Sequence, residues 1–284
     1  MKNLYVTLFS AFLLGSTICT GCAEKKTGSS GEVIEMIHKV NGYWQMNHPE
    51  HGRSFWDNAA YHTGNMEVYF LTKKPEYLEY SKEWAEHNQW KGATSNNKAE
   101  WRSTYGESPE YVLFGDWQVC FQTYADLYKL DPDTIKIARA REVMEYQMST
   151  SKLDYWHWVD ALYMVMPVMV KMYDITKNPL YLEKLHQYLT VTDSIMYDRE
   201  VGLYYRDAKY PYPFHKTING KKDFWSRGDG WAFAAFAKVL KQLPAEDKYR
   251  EEYITRFQTM AKSIAACQQP ELSLIHISEP TRHA

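Results

Sequence analysis

The chain has little net charge, little cysteine and no apolar run long enough for a stable membrane span. Its 33 Lys and Arg nearly balance 35 Asp and Glu, leaving a formal charge of -2, so no basic surface for nucleic acid is indicated. Of its 4 cysteines, Cys19 and Cys22 fall in the amino-terminal segment. Cys120 and Cys267 remain as thiols and could pair only if the fold brings them together. No His-Glu-x-x-His metal pattern is present, no glycine-rich phosphate loop follows a strand, and no strand succession is evident. In their place stand 23 Tyr and 10 Trp, which suit a core of large helices or a groove lined with flat faces.

Residues 1–22 combine Lys2, an apolar run over 4–18 and Cys19-Thr20-Gly21-Cys22. This is the pattern of a secretory signal. Thr20 and Gly21 before Cys22 resemble a bacterial lipoprotein cleavage box, so Cys22 is expected to become the lipidated first residue of an exported chain. The anchor would hold it in the bacterial cell envelope, on the periplasmic face or the cell surface. Residues 23–31, AEKKTGSSG, read as a polar tether.

Helical periodicity then predicts helices over 32–49, 56–73, 76–91, 114–130, 133–149, 157–177, 179–197, 228–243 and 245–269. Pro75, Pro132, Pro179 and Pro244 sit at junctions between helices, where a missing N–H costs least. The unit is therefore a helical hairpin. Two copies remain legible: YFLTKKPEYLE at 69–79 and YDITKNPLYLE at 173–183 agree at seven of eleven positions. Long segments at 91–113 and 198–227 connect the hairpins at the other end, and loops of that length are usually functional or disordered. Trp56, Asp116, Asp160 and Arg227 all fall at this end, near the starts of alternate helices, whose dipoles favour an anion there.

The segment at 154–171, DYWHWVDALYMVMPVMVK, has no polar face and is expected to be buried on most sides. Between Tyr155 and Val170 its only carboxylate is Asp160. Burial would raise the pKa of that group, the profile of a general acid, although a buried Asp satisfied by its neighbours fits the same residues. The helix dipole acts in the opposite direction. Asp116, in Gly-Asp-Trp-Gln, reads either as a helix cap or as a second site carboxylate. Residues 225–231, WSRGDGW, place Arg227 between Trp225 and Trp231 at a helix start. The layout can grip a planar carboxylate while stacking a sugar face, or simply pack an Arg on Trp.

FWDNAAYHTGNMEVYFLT, FGDWQVCFQTYADLY, WVDALYMVMPV and FWSRGDGW, in that order over 55–269, resemble the unsaturated glycuronyl hydrolases. The likeness is greatest to the unsaturated rhamnogalacturonyl hydrolases of glycoside hydrolase family 105, relatives of family 88. The resemblance implies an all-α (α/α)6 six-hairpin toroid. It implies removal of a Δ4,5-unsaturated galacturonyl residue from lyase-generated rhamnogalacturonan (pectin) oligosaccharides, by hydration of the enol ether and without a cofactor. Asp160 would be the acid and base, and Asp116 the carboxylate that positions substrate and tunes it. Trp56, His62, Trp158, Arg206, Trp225, Arg227 and Trp231 would bind the sugar. Two departures stand out: Tyr204-Tyr205-Arg206-Asp207 replaces a histidine found in many relatives, and Asp229 replaces an Asn, adding a negative charge near the expected carboxylate site.

A twelve-helix toroid is not complete in nine helices, so residues 32–271 are expected to be a partial domain of a C-terminally truncated chain, weak or inactive by itself. The tail at 272–284, LSLIHISEPTRHA, resembles translated sequencing-adapter read-through and reads as non-native. Other readings are an unsaturated glucuronyl hydrolase acting on other lyase products, a six-hairpin enzyme of saturated glycans, or a noncatalytic glycan-binding lipoprotein on the same scaffold. A binder would not need a buried proton donor. The partners expected are an unsaturated uronyl oligosaccharide and a membrane reached only through the lipid anchor, with no protein partner evident.

Overall fold

The computed structural model describes residues 30–268. The signal segment with Cys22, most of the tether and the tail at 272–284 lie outside the described residues. The chain divides after Trp44, and helix α1 (Ser30–Asn47) supplies all that is described of the first compact unit.

In the second unit, Gln45–Ala284, the described helices pair as hairpins: α2 (Trp56–Thr72) with α3 (Pro75–His87), α4 (Cys120–Leu130) with α5 (Ile135–Ser149), α6 (Asp160–Thr176) with α7 (Leu180–Met196), and α8 (Ser226–Gln242) with α9 (Arg250–Cys267). The first member of each hairpin also packs against the first member of the next, so α2, α4, α6 and α8 form an inner row. These are four hairpins of a six-hairpin (α/α) architecture. A two-stranded hairpin, β1 (Tyr197–Asp198) with β2 (Leu203–Tyr204), pairs antiparallel just after α7.

The two sequence copies fold identically at their junctions. Lys73 and Lys177 end α2 and α6 in the left-handed region, with φ of 58° and 56°. Their N–H groups donate to Tyr69 O and Tyr173 O at 2.8 and 2.7 Å. Thr72 and Thr176 bond back to Val68 O and Met172 O at 2.8 and 2.7 Å, and the following Pro75 and Pro179 open the outer helices. The shared residues are thus the parts of one C-cap that satisfies the orphan carbonyls and sets the next helix. At the last junction the helix begins at Arg250 rather than 245, because the Asp247 side chain takes the Tyr249 N–H at 2.8 Å and holds a turn.

Helix α6 is the innermost element, buried without interruption from Ala161 to Met172. It also contains Pro167, which cannot donate to Tyr163 O four residues earlier. Gln122 of α4, fully buried, donates its Nε2 to that carbonyl at 2.7 Å. Replacing Gln122 with Leu is therefore expected to cost about 1–3 kcal/mol by leaving the carbonyl bare. Denaturant titration measures it, and an unchanged midpoint would show that α6 does not depend on this bond.

Among the described residues no helix is long and apolar enough to cross a membrane.

Candidate active site

Helix α6 starts at Asp160, three residues later than its periodicity suggests, because the residues before it pair elsewhere. Val159 N donates to Arg206 O at 2.9 Å, and Trp158 forms a bridge with Asp207. The long 198–227 connection is thereby fastened to the residues just ahead of Asp160. Asp116 sits in a short 3-10 turn, Gly115–Trp117, ahead of α4. A side chain on Gly115 would stand 3.1 Å from Val165 Cγ2 and 3.2 Å from Trp158 Cη2, so glycine lets the Asp116 turn lie against α6. Arg227 lies in the first turn of α8, its guanidinium 4.3 Å from the centre of the Trp225 ring.

These elements meet in one cavity of about 560 Å³. Its lining includes Asp116, Asp160, Arg206 and Arg227, with Trp56, Trp158 and Trp225 as flat walls. Trp158 is itself backed by Phe114, the rings stacked 4.5 Å apart. A larger hollow, about 710 Å³, lies on the outside of α5, but it lacks the converging carboxyls and tryptophan walls.

Burial pushes the Asp160 carboxyl up to about 6, against the opposing pull of Arg227, Arg206 and its own backbone N–H. Desolvation thus outweighs the two guanidinium groups and the backbone N–H. Burial, followed by the charge of Asp160, pushes Asp116 up to about 8. The two carboxyls titrate as a coupled pair, both held above the ordinary carboxylate range. One Asp116 oxygen and one Asp160 oxygen are buried with no protein hydrogen bond. The pair can therefore hold and hand over a proton near neutral pH.

Two expected contact residues lie elsewhere. His62 is buried between α2 and α3, its ring 4.0 Å from Trp84 and its Nδ1 3.1 Å from Ser81 Oγ, and burial lowers its pKa to about 3. It is a packed neutral histidine. Trp231 follows Arg227 by one helical turn and packs on Tyr163, with ring centres 4.6 Å apart, outside the cavity lining. Asp229 likewise turns away from the cavity. It is 4% exposed, accepts the Tyr204 N–H at 2.8 Å and is raised to about 8 by burial. It ties β2 to α8 and adds no charge to the pocket.

Phe114, His157 and Asp207, which lie in stretches singled out in the sequence without a role of their own, also line the cavity, as do Tyr105 and Lys209, which had not stood out. The only signal of Tyr105 and Lys209 was membership of the two long connections. Among the described residues no group of three or more His, Cys, Asp or Glu could hold a metal ion.

The family model for Glycosyl Hydrolase Family 88 matches residues 32–277. The chain belongs to glycosyl hydrolase family 88. A solved family 88 glycosyl hydrolase from Bacteroides vulgatus is 87% identical, with a TM-score of 0.85 over 87% of this chain and 72% of that one. A solved structure described as a polysaccharide lyase is 77% identical, also with a TM-score of 0.85, over 86% of this chain and 69% of that one. An unsaturated 3S-rhamnoglycuronyl hydrolase from Formosa agariphila is 27% identical over 282 residues, 94% of this chain and 72% of that protein. As a family 88 member the chain is a glycosidase by descent.

The two glycines beside Arg227 are not equivalent. A Cβ on Gly228 would stand 2.5 Å from Val159 Cγ1 and 2.7 Å from Trp225 Cε3, whereas Gly230 has open space. Gly228→Ala is expected to push Val159 or Trp225 aside and lower kcat/KM at least about tenfold, since small misplacements of a reacting group are costly. Gly230→Ala is expected to keep activity and raise stability by about 0.5–1 kcal/mol. Equal behaviour of the two variants in kinetics and melting would contradict this packing argument.

Proposed function

We propose that this chain removes a terminal Δ4,5-unsaturated uronyl residue from a lyase product in which that residue is joined to rhamnose. Rhamnogalacturonan (pectin) fragments are the first candidates. The observation that carries the reading is the convergence of Asp160, with its pKa near neutrality, Asp116 and Arg227 in one aromatic-walled cavity.

Arg227 binds the substrate carboxylate, a charge-assisted contact stabilising by about 1.5–3 kcal/mol. Trp158 and Trp225 face the ring. Asp160 gives its proton to C4 of the enol ether, and positive charge develops at C5 and the ring oxygen. The same carboxylate then takes a proton from the water that adds at C5. The C5 hemiketal opens by breaking its bond to the ring oxygen, which frees a hemiacetal at C1, and that hemiacetal expels the aglycone as an alcohol. The double bond is consumed, unlike ordinary glycoside hydrolysis with two carboxylates across the scissile bond.

Glucuronate and galacturonate differ only at C4, and C4 is planar in the unsaturated residue. The terminal ring is therefore the same from either parent, and only the anomeric linkage and the aglycone distinguish pectin products from other rhamnose-linked uronides. The test is incubation with lyase-generated disaccharides bearing rhamnose, following the ultraviolet absorbance of the double bond. Its loss with release of rhamnose supports the reading. Unchanged absorbance with tight binding would instead favour a noncatalytic binder.

One relative supports a second reading: the 77% identical protein described as a polysaccharide lyase. Elimination acts on the same two carbons with the opposite placement of proton and oxygen: a base takes the proton from C5, the C4–O bond breaks, and the leaving oxygen is protonated. An intact polysaccharide would then give rising absorbance. We also propose that the chain is exported and lipid-anchored through Cys22. Labelling with a radioactive fatty acid, lost in Cys22→Ser, tests this.

A further inference from the structure

Residues 105–107 form a short strap beside the cavity, fastened from several directions. Tyr105 lines the cavity and is 66% exposed, so its ring is open to a ligand. The ring stands edge-on to Phe114, centres 5.7 Å apart, and Phe114 in turn backs Trp158. Trp117, next to Asp116, donates its indole N–H to Gly106 O at 3.1 Å. A Cβ on Gly106 would stand 2.1 Å from the Tyr111 ring, so glycine is what lets the strap lie that close.

The remaining fastening is a charge network that reaches to α2. Tyr105 Oη donates to Glu107 Oε1 at 3.0 Å, and the other oxygen of that carboxylate accepts from Arg53 Nη1 at 2.6 Å. Arg53 Nη2 donates to Asp57 Oδ2 at 3.1 Å, in the first turn of α2. The guanidinium also lies 4.6 Å from the centre of the buried Phe55 ring, which packs on Trp117 with ring centres 4.6 Å apart. Arg53 thus has one arm of its fork on the strap and one on a helix start, and it is braced on the rings that also hold Gly106. Arg53, Asp57 and Glu107 themselves stand outside the cavity lining, so the network meets a ligand only through Tyr105.

We propose that Arg53 is a positioning residue for substrate binding: anchored on Asp57, it holds the Tyr105 ring through Glu107 in the place where that ring meets the sugar. The proposal rests on the hydrolase reading and deepens it. A lone exposed ion pair contributes little, but two carboxylates on one planar guanidinium, braced by an aromatic face, fix a geometry. A side chain ordered beforehand loses less freedom when a ligand arrives, which corresponds to up to about tenfold in affinity. Because the network stands outside the lining that holds Asp160, its loss should weaken binding without slowing the bound complex.

The test is a double-mutant cycle with the rhamnose-linked unsaturated disaccharide. Arg53→Met is expected to raise KM about fivefold and leave kcat within about twofold, with a melting temperature within about 3 °C of wild type. Arg53→Lys keeps the charge but not the planar fork and should lie between. Glu107→Ala cuts the same link while leaving Arg53 on Phe55, and should reproduce the KM change. In a Tyr105→Ala background Arg53→Met should have no further effect on KM. Arg141→Met, which breaks an exposed pair with Glu145 at 2.8 Å on α5, controls for loss of surface charge and should change neither constant. An unchanged KM in Arg53→Met, a rise that persists without Tyr105, or an equal fall in kcat overturns the proposal. If the disaccharide is not turned over, the hydrolase reading fails, and its dissociation constants from titration calorimetry enter the same cycle. Coupling between Arg53 and Tyr105 then upholds the positioning role, and additivity or absence of binding rejects it.

Discussion

Asp160→Asn is expected to lower kcat by about 10²–10⁴, the usual contribution of a positioned acid and base, while leaving KM within a few fold. The amide keeps the shape and the contact surface of the carboxyl but cannot give a proton to C4 or take one from water. The pH dependence carries a second signature. With Asp160 near 6 in the free enzyme, kcat/KM should decline above about pH 6 as the acid is lost. Arg227, whose charge holds that value down, is neutralised when the uronate binds. The carboxyl should therefore be more basic in the complex, and the decline of kcat should lie at higher pH than that of kcat/KM. Coincident profiles would show that Arg227 does not bind the substrate carboxylate beside Asp160. Stability moves the other way. A carboxyl raised above its ordinary value of 3.8 binds more protons folded than unfolded, so its contribution is full at low pH and fades as pH rises from about 4 to 6. Asp160→Asn should accordingly be more stable than wild type at pH 7, by on the order of 3 kcal/mol, with the gap closing near pH 4. A slow enzyme that is also less stable at pH 7 would mark the residue as structural.

The features that periodicity and local chemistry control were legible in the sequence. The hairpins, the proline junctions and the duplicated C-cap are local, and the shared Tyr, Thr, Lys and Pro at 69–79 and 173–183 adopt one geometry because their bonds stay within a few residues. The convergence of Asp116, Asp160 and Arg227 was legible because alternate helices point their starts at one rim. What escaped depends on partners far along the chain. Trp158 and Val159 look helical, but Asp207 and Arg206 take them into a bridge. His62 and Trp231 have the right residue types near the right helix starts, yet stand one or two turns too deep and pack on Trp84 and Tyr163. Asp229 seemed a charge in the pocket and proved to be an acceptor for the Tyr204 backbone. Tyr105 and Lys209 belong to no motif, and only the fold brings them to the cavity.

Asp126→Asn is expected to destabilise the fold by about 3–5 kcal/mol, the cost of stranding a buried charge. Its partner Lys171 is 1% exposed in the middle of α6, where its ammonium bonds the Asp126 carboxylate of α4. Around them stand Lys238 of α8, which repels Lys171, and Glu67 of α2, which attracts both lysines. The four inner helices thus share one charge cluster at the end away from Asp160. For a domain of this size the loss corresponds to a melting point lowered by roughly 10 °C. The effect should itself depend on pH. Burial holds Lys171 below its ordinary value even with Asp126 present, so without the carboxylate it sheds its proton more readily. A lysine lowered in this way becomes cheaper to bury as pH rises through its folded value towards 10.5. Over the same range the wild type loses its pair, so the difference between the two proteins should be largest near pH 7 and smaller near pH 10. Asp126→Leu with Lys171→Met removes both charges and should recover most of the lost stability, since apolar replacement of a buried pair is often neutral or better. If the single variant melts with the wild type, or the double variant is worse than either single change, the four helices are held by packing alone and the cluster is incidental to the scaffold that presents Asp160.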